Sequence, residues 1–158
     1  MTFGIETEDA TRSGADWSIR PATAADVARV VTLLEHDRLG VDGVAAHLHD
    51  FRVATAANRV IGAAGMERYP PHALLRSVVV DAGWRARGIA AALTDAVATH
   101  ACHAGLTTLY LLTTRAEHYF ARHGFSAVSR DALPPAIAAS PQALRLCPRD
   151  AQAMKRAL

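Results

Sequence analysis

Apolar residues recur along the chain with two different periods, and each switch between them marks an element. Trp17-Ser18-Ile19-Arg20 alternates and is closed by Pro21, which predicts a short strand. Thr23-Ala24-Ala25-Asp26 reads as a capping box with Asp in the Glu position, and Val27, Val30, Val31 and Leu34 follow at helical spacing. Gly40 is expected to end that region, and a second short helix is expected from Asp42 to His49. Phe51 to Ala56 and Arg59 to Arg68 read as strands joined by a tight turn at Ala57-Asn58. Tyr69-Pro70-Pro71-His72 breaks the pattern before a third strand, Ala73 to Asp81. Its run Ser77-Val78-Val79-Val80 suits a strand covered on both faces. Ile89, Leu93, Val97 and Ala101 repeat every four residues and predict a long helix to His103, stopped by Gly105.

Leu109 to Thr113 reads as another strand, and Ala116 to His123 as a helix ended by Gly124. Beyond it, Phe125 to Ser129 suggests a strand, Pro134 to Ile137 opens a short helix, and Ala143 to Cys147 is read as the last strand. Strands, helices and central hairpins in one series imply an α/β or α+β fold. Residues 1–16 show no period and are expected to be a flexible lead-in, with a single domain over 17–158.

Composition narrows the function classes. The chain has 158 residues, 51% hydrophobic and 20% charged, which fits a globular domain and excludes a disordered chain. Its net charge of +2 argues against a dedicated nucleic-acid binder. Sixteen of the seventeen basic residues are arginine, Lys155 being the single lysine, so arginine placement matters more than the total. A GC-rich genome accounts for most of these arginines and for the 34 alanines. Two cysteines, Cys102 and Cys147, suit a reducing compartment. No apolar run is long enough to cross a bilayer and no secretory signal is visible, so a cytoplasmic location without membrane or nucleic-acid partners is expected.

The segment richest in chemistry is the strand, turn and helix from Leu74 to Ala98. The helix begins inside Arg85-Ala86-Arg87-Gly88-Ile89-Ala90, where free amides and the macrodipole favour an anion. Gly88 and the small Ala90 permit close backbone approach, and Arg85 and Arg87 add charge at the rim. An ordinary strand-to-helix glycine explains the turn equally well.

Arg-x-x-Gly-x-Ala after an apolar strand resembles the acetyl-CoA pyrophosphate loop of the GCN5-related N-acetyltransferase (GNAT) superfamily. The order of the surrounding elements resembles it too, over residues 17–150. The resemblance implies a mixed, mostly antiparallel sheet flanked by helices, with central strands that splay where acyl transfer occurs. It implies acetyl-CoA as co-substrate, backbone groups of Val78, Val79 and Val80 on the pantetheine arm, and the amides of Ala86, Arg87, Gly88, Ile89 and Ala90 on the pyrophosphate. The string from Leu111 to Phe120 is similar to the acetyltransferase domain of N-acetylglutamate synthases and to small acetyltransferases encoded with arsenic-resistance genes. Glu67-Arg68-Tyr69, Leu74 to Ser77 and Leu146-Cys147-Pro148 resemble the second group. Both point to acetylation of a small amino-acid-like amine, including a toxic arsenic-containing analogue.

Acetyl transfer needs a neutral amine, a route for its proton and a stabilised oxyanion. Glu67, at the end of a middle strand, is the candidate base; a solvated strand-end carboxylate is the alternative. Many superfamily members carry a tyrosine as general acid four residues before the glycine that ends the closing helix. Here that position is Phe120, read as packing, and Tyr119 beside it is the candidate acid. Arg76 interrupts an apolar strand and so requires an anion, either a substrate carboxylate or an internal Asp or Glu. Strand alternation places Arg76 with Leu74, Val78 and Val80, and Ser77, also a candidate substrate contact, on the other face. Thr113, Thr114 and Arg115 are further substrate candidates, although Thr114 and Glu117 also spell a helix cap.

His100, Cys102 and His103 lie close in sequence without metal-ligand spacing, and no metal is expected. The function expected from the residues and the resemblance together is N-acetyltransfer from acetyl-CoA to a small-molecule amine, with a homodimer allowed. N-acetylglutamate synthesis, peptide N-terminal acetylation and a non-catalytic acyl-CoA sensor are the alternatives.

Overall fold

A computed structural model describes residues 16–146 and 149–158. The strands are β1 (Ser18–Pro21), β2 (Arg52–Ala56), β3 (Arg59–Tyr69), β4 (His72–Val80), β5 (Thr108–Thr113), β6 (Ser126–Val128) and β7 (Gln152–Ala157). The helices are α1 (Val27–His36), α2 (Ile89–His103), α3 (Glu117–Arg122) and α4 (Pro135–Ala138). One seven-stranded sheet runs in the order β1-β2-β3-β4-β5-β7-β6, flanked by helices. Its registered pairs are antiparallel except β4 with β5. The described residues form two compact units, 16–65 with 77–97 and 66–76 with 98–146 and 149–158.

In the first unit, the Thr23 N–H donates to the Asp26 carboxylate at 2.7 Å, as the capping-box pattern requires, and Arg20 grips the same carboxylate with both Nη atoms. α1 buries Val30, Leu33 and Leu34 among Val44, Phe51, Val53, Val60, Ala63 and Val79. Each such side chain contributes about 1.5–3 kcal/mol by leaving water. The helix closes before Gly40: Arg38 takes the left-handed conformation (φ 57°), and the Leu39 and Arg38 amides donate back to the carbonyls of Leu34 and Glu35. Residues 42–47 form turns, followed by a 3₁₀ turn at Leu48–Asp50, where a regular helix was expected. β2 and β3 meet across Ala57 (φ 50°) and Asn58 (φ 64°), the paired positive angles of a tight hairpin turn.

In the second unit, Leu74, Tyr110, Leu133, Ile137 and Ala153 form the core, with Tyr69, Leu112 and Val128 packed on it. β4 pairs with β5 from His72–Thr108 to Leu74–Tyr110, while β5 pairs with β7 along its whole length. α2 spans the predicted residues and ends at Gly105, whose φ of 83° allows the Leu106 amide to return to Ala101. The expected final strand is not one over its described residues, 143–146: Gln142–Leu146 is a wide helical turn, and β7, which begins at Gln152, is the strand that enters the sheet. Cys147 and residues 1–15 of the lead-in lie outside the described residues.

Candidate active site

The turn between β4 and α2 belongs to the first unit. Asp81 organises it: its carboxylate accepts from the Gly83 amide at 3.0 Å and from Arg29 Nη2 at 2.7 Å. Arg29 also donates through Nε to the Val60 carbonyl, tying the turn to β3. The Gly83 hydrogen bond, with Arg29 and Arg59 nearby, holds the Asp81 carboxyl below the usual range. From this anchor the chain passes Ala86 (φ 63°) and Gly88 (φ 81°) into α2, whose first helical hydrogen bond runs from Ala92 to the Gly88 carbonyl. The amides ahead of that bond have no partner within the helix, so alternating backbone hand and helix start together present N–H groups suited to an anion. A Cβ on Gly88 would meet nothing within 4 Å, so the backbone there is open to a ligand.

The rim arginines are less free than their positions suggested. Arg85 donates to Asp37 at 2.7 Å and to the Val80 carbonyl at 3.2 Å, so part of its charge and one backbone acceptor of the expected pantetheine strand are already engaged. Arg87 is exposed and lies over the Trp84 ring, 4.6 Å from its centroid. Ile89 is buried and Ala90 half-buried, while Ala86 and Gly88 are exposed. Ser77 has φ 61°, an irregularity within β4 that sequence alternation did not anticipate. Regular alternation is interrupted at this residue, and burial from Ala73 to Val80 is nearly continuous instead of alternating.

The second unit holds a buried polar cluster. Arg76 Nη1 donates to Glu67 Oε2 at 2.7 Å, with the two side chains 1% and 4% exposed. Tyr69 Oη donates to the other carboxylate oxygen, Oε1, at 2.6 Å. Gln142, its side-chain oxygen turned toward the guanidinium, accepts from Nη1 and Nη2 at 3.2 and 3.3 Å. Burial, then the hydrogen bond to Glu67 and its negative charge, push the Tyr69 phenol up to about 12; Ser140 and Arg76 pull weakly the other way. Glu67 is thus a buried, ion-paired carboxylate and not a solvated strand end, and the anion facing Arg76 in the structure is internal. Glu67 and Tyr69 share a strand face at i and i+2, a signal the sequence carried. Ser140 and Gln142 arrive from more than 60 positions away, with no sequence signal joining them to it.

Elsewhere in this unit, Thr113 Oγ1 accepts from the Ala116 amide at 3.0 Å, so Thr113 and not Thr114 supports the start of α3. Thr114 and Arg115 are exposed. Tyr119 is half-buried, its ring 4.6 Å from that of His123 and edge-on to Phe120. Phe120 is buried against Phe125 at 5.5 Å and is packing, as expected. Among the described residues no group of three His, Cys, Asp or Glu is placed to hold a metal, and no helix is long and apolar enough to cross a membrane.

The amino-acid acetyltransferase of Enterobacter sp. (strain 638) is 27% identical over 125 residues, covering 73% of this chain. The chain spans 28% of that relative's length. The N-acetylglutamate synthase of Neisseria gonorrhoeae, solved with coenzyme A and N-acetyl-glutamate, superposes with a TM-score of 0.79 at 20% identity over 92% of this chain and 36% of its own. Rv2747 of Mycobacterium tuberculosis, solved in complex with CoA, gives 0.72 at 20% identity over 89% of this chain and 98% of its own. The model of the acetyltransferase (GNAT) domain matches residues 47–127, from the turn before β2 into β6, and the chain belongs to that family.

Proposed function

We propose that the chain is an acetyl-CoA-dependent N-acetyltransferase acting on the amine of a small amino-acid-like substrate. The observation that carries this reading is the turn from Ala86 to Ala90: two positive φ angles, an open Gly88 and a fifteen-residue helix starting there. Amino-acid acetyltransferases among the relatives support the acceptor class. Acetyl-CoA supplies the activated thioester. In this reading the amides of Ala86, Arg87, Gly88, Ile89 and Ala90 hold its pyrophosphate, Arg85 and Arg87 add charge, and Val78, Val79 and Val80 offer backbone groups to the pantetheine. Glu67 is the base on which the amine's proton ends, directly or through a neighbouring group, and Tyr119 returns one to the leaving thiolate. Ser77, Thr113, Thr114 and Arg115 form the acceptor side. Arg76 joins them where a substrate carboxylate displaces Glu67; with Glu67 in place it is half of an internal ion pair. The finer acceptor, an arsenic-containing amino-acid analogue, rests on the likeness of residues 67–77 and 111–120 to arsenic-associated acetyltransferases.

The test is thiol release from acetyl-CoA across free amino acids, an arsenical analogue and short peptides. Release with amino acids or the analogue supports the reading, and release with peptides alone overturns the acceptor class. The buried Phe120 in place of a tyrosine favours one second reading, an acyl-CoA sensor. Coenzyme A binding without release on any amine would establish it.

A further inference from the structure

The buried cluster of the second unit poses a problem for any base chemistry at Glu67. Its side chain is 4% exposed, one carboxylate oxygen faces Arg76, and the other accepts the Tyr69 hydroxyl. An ammonium group in solvent does not reach a carboxylate so enclosed. Ser140 and Gln142 are buried as well, at 3% and 7%, whereas Tyr69 is half-buried and borders the cluster. Its Oη lies 2.6 Å from Glu67 Oε1, a short contact of the kind along which a proton passes readily.

We infer that Tyr69 is a further catalytic residue, which takes a proton from the acceptor ammonium at Oη while its own phenolic proton passes to Glu67 Oε1. The inference rests on the acetyltransferase reading above. One N–H bond of the ammonium breaks and an O–H bond forms at Tyr69. The original Tyr69 O–H breaks and one forms at Glu67. The net result is a neutral amine, a neutral tyrosine and a carboxylic acid, with no phenolate accumulating. The groups facing Tyr69 fit this direction: Glu67 from β3 draws the proton inward and Arg76 from β4 holds that carboxylate, while Gln142 faces the Arg76 guanidinium and Ser140 bears on the phenol itself. The high phenol pKa keeps the hydroxyl protonated at neutral pH, so a transferable proton is always present.

The experiment compares the unaltered protein with Tyr69→Phe and Glu67→Gln, using the best acceptor from the amino-acid panel, from pH 6 to pH 10. Each variant should lose about 100-fold in kcat at neutral pH, the ordinary size of such catalysis, with KM for acetyl-CoA unchanged. The loss should shrink toward high pH, where the amine is already neutral and needs no relay. The double variant should lose no more than either single one. A Tyr69→Phe enzyme within about threefold of the parent at neutral pH, or one impaired equally at every pH, overturns the inference. A second measurement needs no variant: the solvent-deuterium dependence of kcat should curve, as two transferred protons require, and a straight line overturns the relay. Absence of turnover by the unaltered protein on every amine overturns the acetyltransferase reading itself, an outcome distinct from a variant failing beside an active parent.

Discussion

Replacing Arg76 with methionine removes the positive half of an ion pair whose side chains are 1% and 4% exposed. The substitution keeps an apolar side chain of similar reach, so the change is chiefly one of charge. It leaves the Glu67 carboxylate buried without the guanidinium that balances it, and takes from Gln142 the two donors its oxygen faces. Breaking one side of a buried pair costs about 3–5 kcal/mol, because an enclosed charge persists. For a chain of this size that corresponds to a fall in Tm of roughly 6–20 °C. The surface pair Arg85–Asp37, 53% and 33% exposed, is the internal control: Arg85→Met should cost at most about 1 kcal/mol. Urea denaturation followed by circular dichroism reads both. The double variant Glu67→Leu with Arg76→Met should recover most of the loss, since no charge is then stranded. If Arg76→Met keeps stability within about 1 kcal/mol of the parent and raises KM for the amino acid instead, the pair is not structural and Arg76 belongs to the substrate.

Gly88→Val imposes a β-branched side chain at φ 81° with no neighbouring atom in the way, so its cost to folding is backbone strain of about 1–2 kcal/mol. Calorimetric titration should show acetyl-CoA affinity falling more than tenfold in the folded variant, and intact affinity would sink the cradle. Gly65→Ala drives a Cβ into the fully buried Phe51 ring and should cost about 1–3 kcal/mol, relieved by adding Phe51→Leu; denaturant midpoints decide it. Arg20 and the Thr23 amide hold the Asp26 carboxyl at about 2, below its unfolded value, so its contribution is complete above pH 4 and fades as pH falls toward 2. Because Arg20 is 43% exposed and screened, that contribution is about 1–2 kcal/mol. The urea midpoints of the parent and Asp26→Asn should therefore differ at pH 6 and converge near pH 2.

The parts of the fold legible in the sequence were those whose local pattern agrees with their final surroundings. α2 repeats its apolar residues every four positions and is stopped by a glycine, and the structure returns the same boundaries. The Ala57-Asn58 hairpin was equally plain. β7 was missed because Gln-Ala-Met-Lys-Arg-Ala is built largely from helix formers. It becomes a strand through pairing with β5 and β6, a tertiary choice that outweighs propensity. Within the site, the anion-binding turn could be read from Gly88 and its neighbours because backbone conformation is local. The polar cluster could not: Glu67 and Tyr69 advertised a shared face, but Gln142 enters from a distant turn. The positive φ at Ser77, a residue with no special licence for it, is a break in strand regularity that the sequence did not signal.

The place of β7 bears on how the chain is made. It follows β6 in sequence, yet in the sheet it lies between β5 and β6, and it is the strand with which β6 is registered. Until residues 152–157 emerge, β5 therefore presents six residues of unsatisfied strand edge, and β6 has nothing to join. A nascent chain that has not yet released residues 152–157, or a variant without them, carries that open edge into a crowded cell. Loss of the final strand should accordingly be seen first as a failure of solubility during synthesis, before any effect on chemistry is measured.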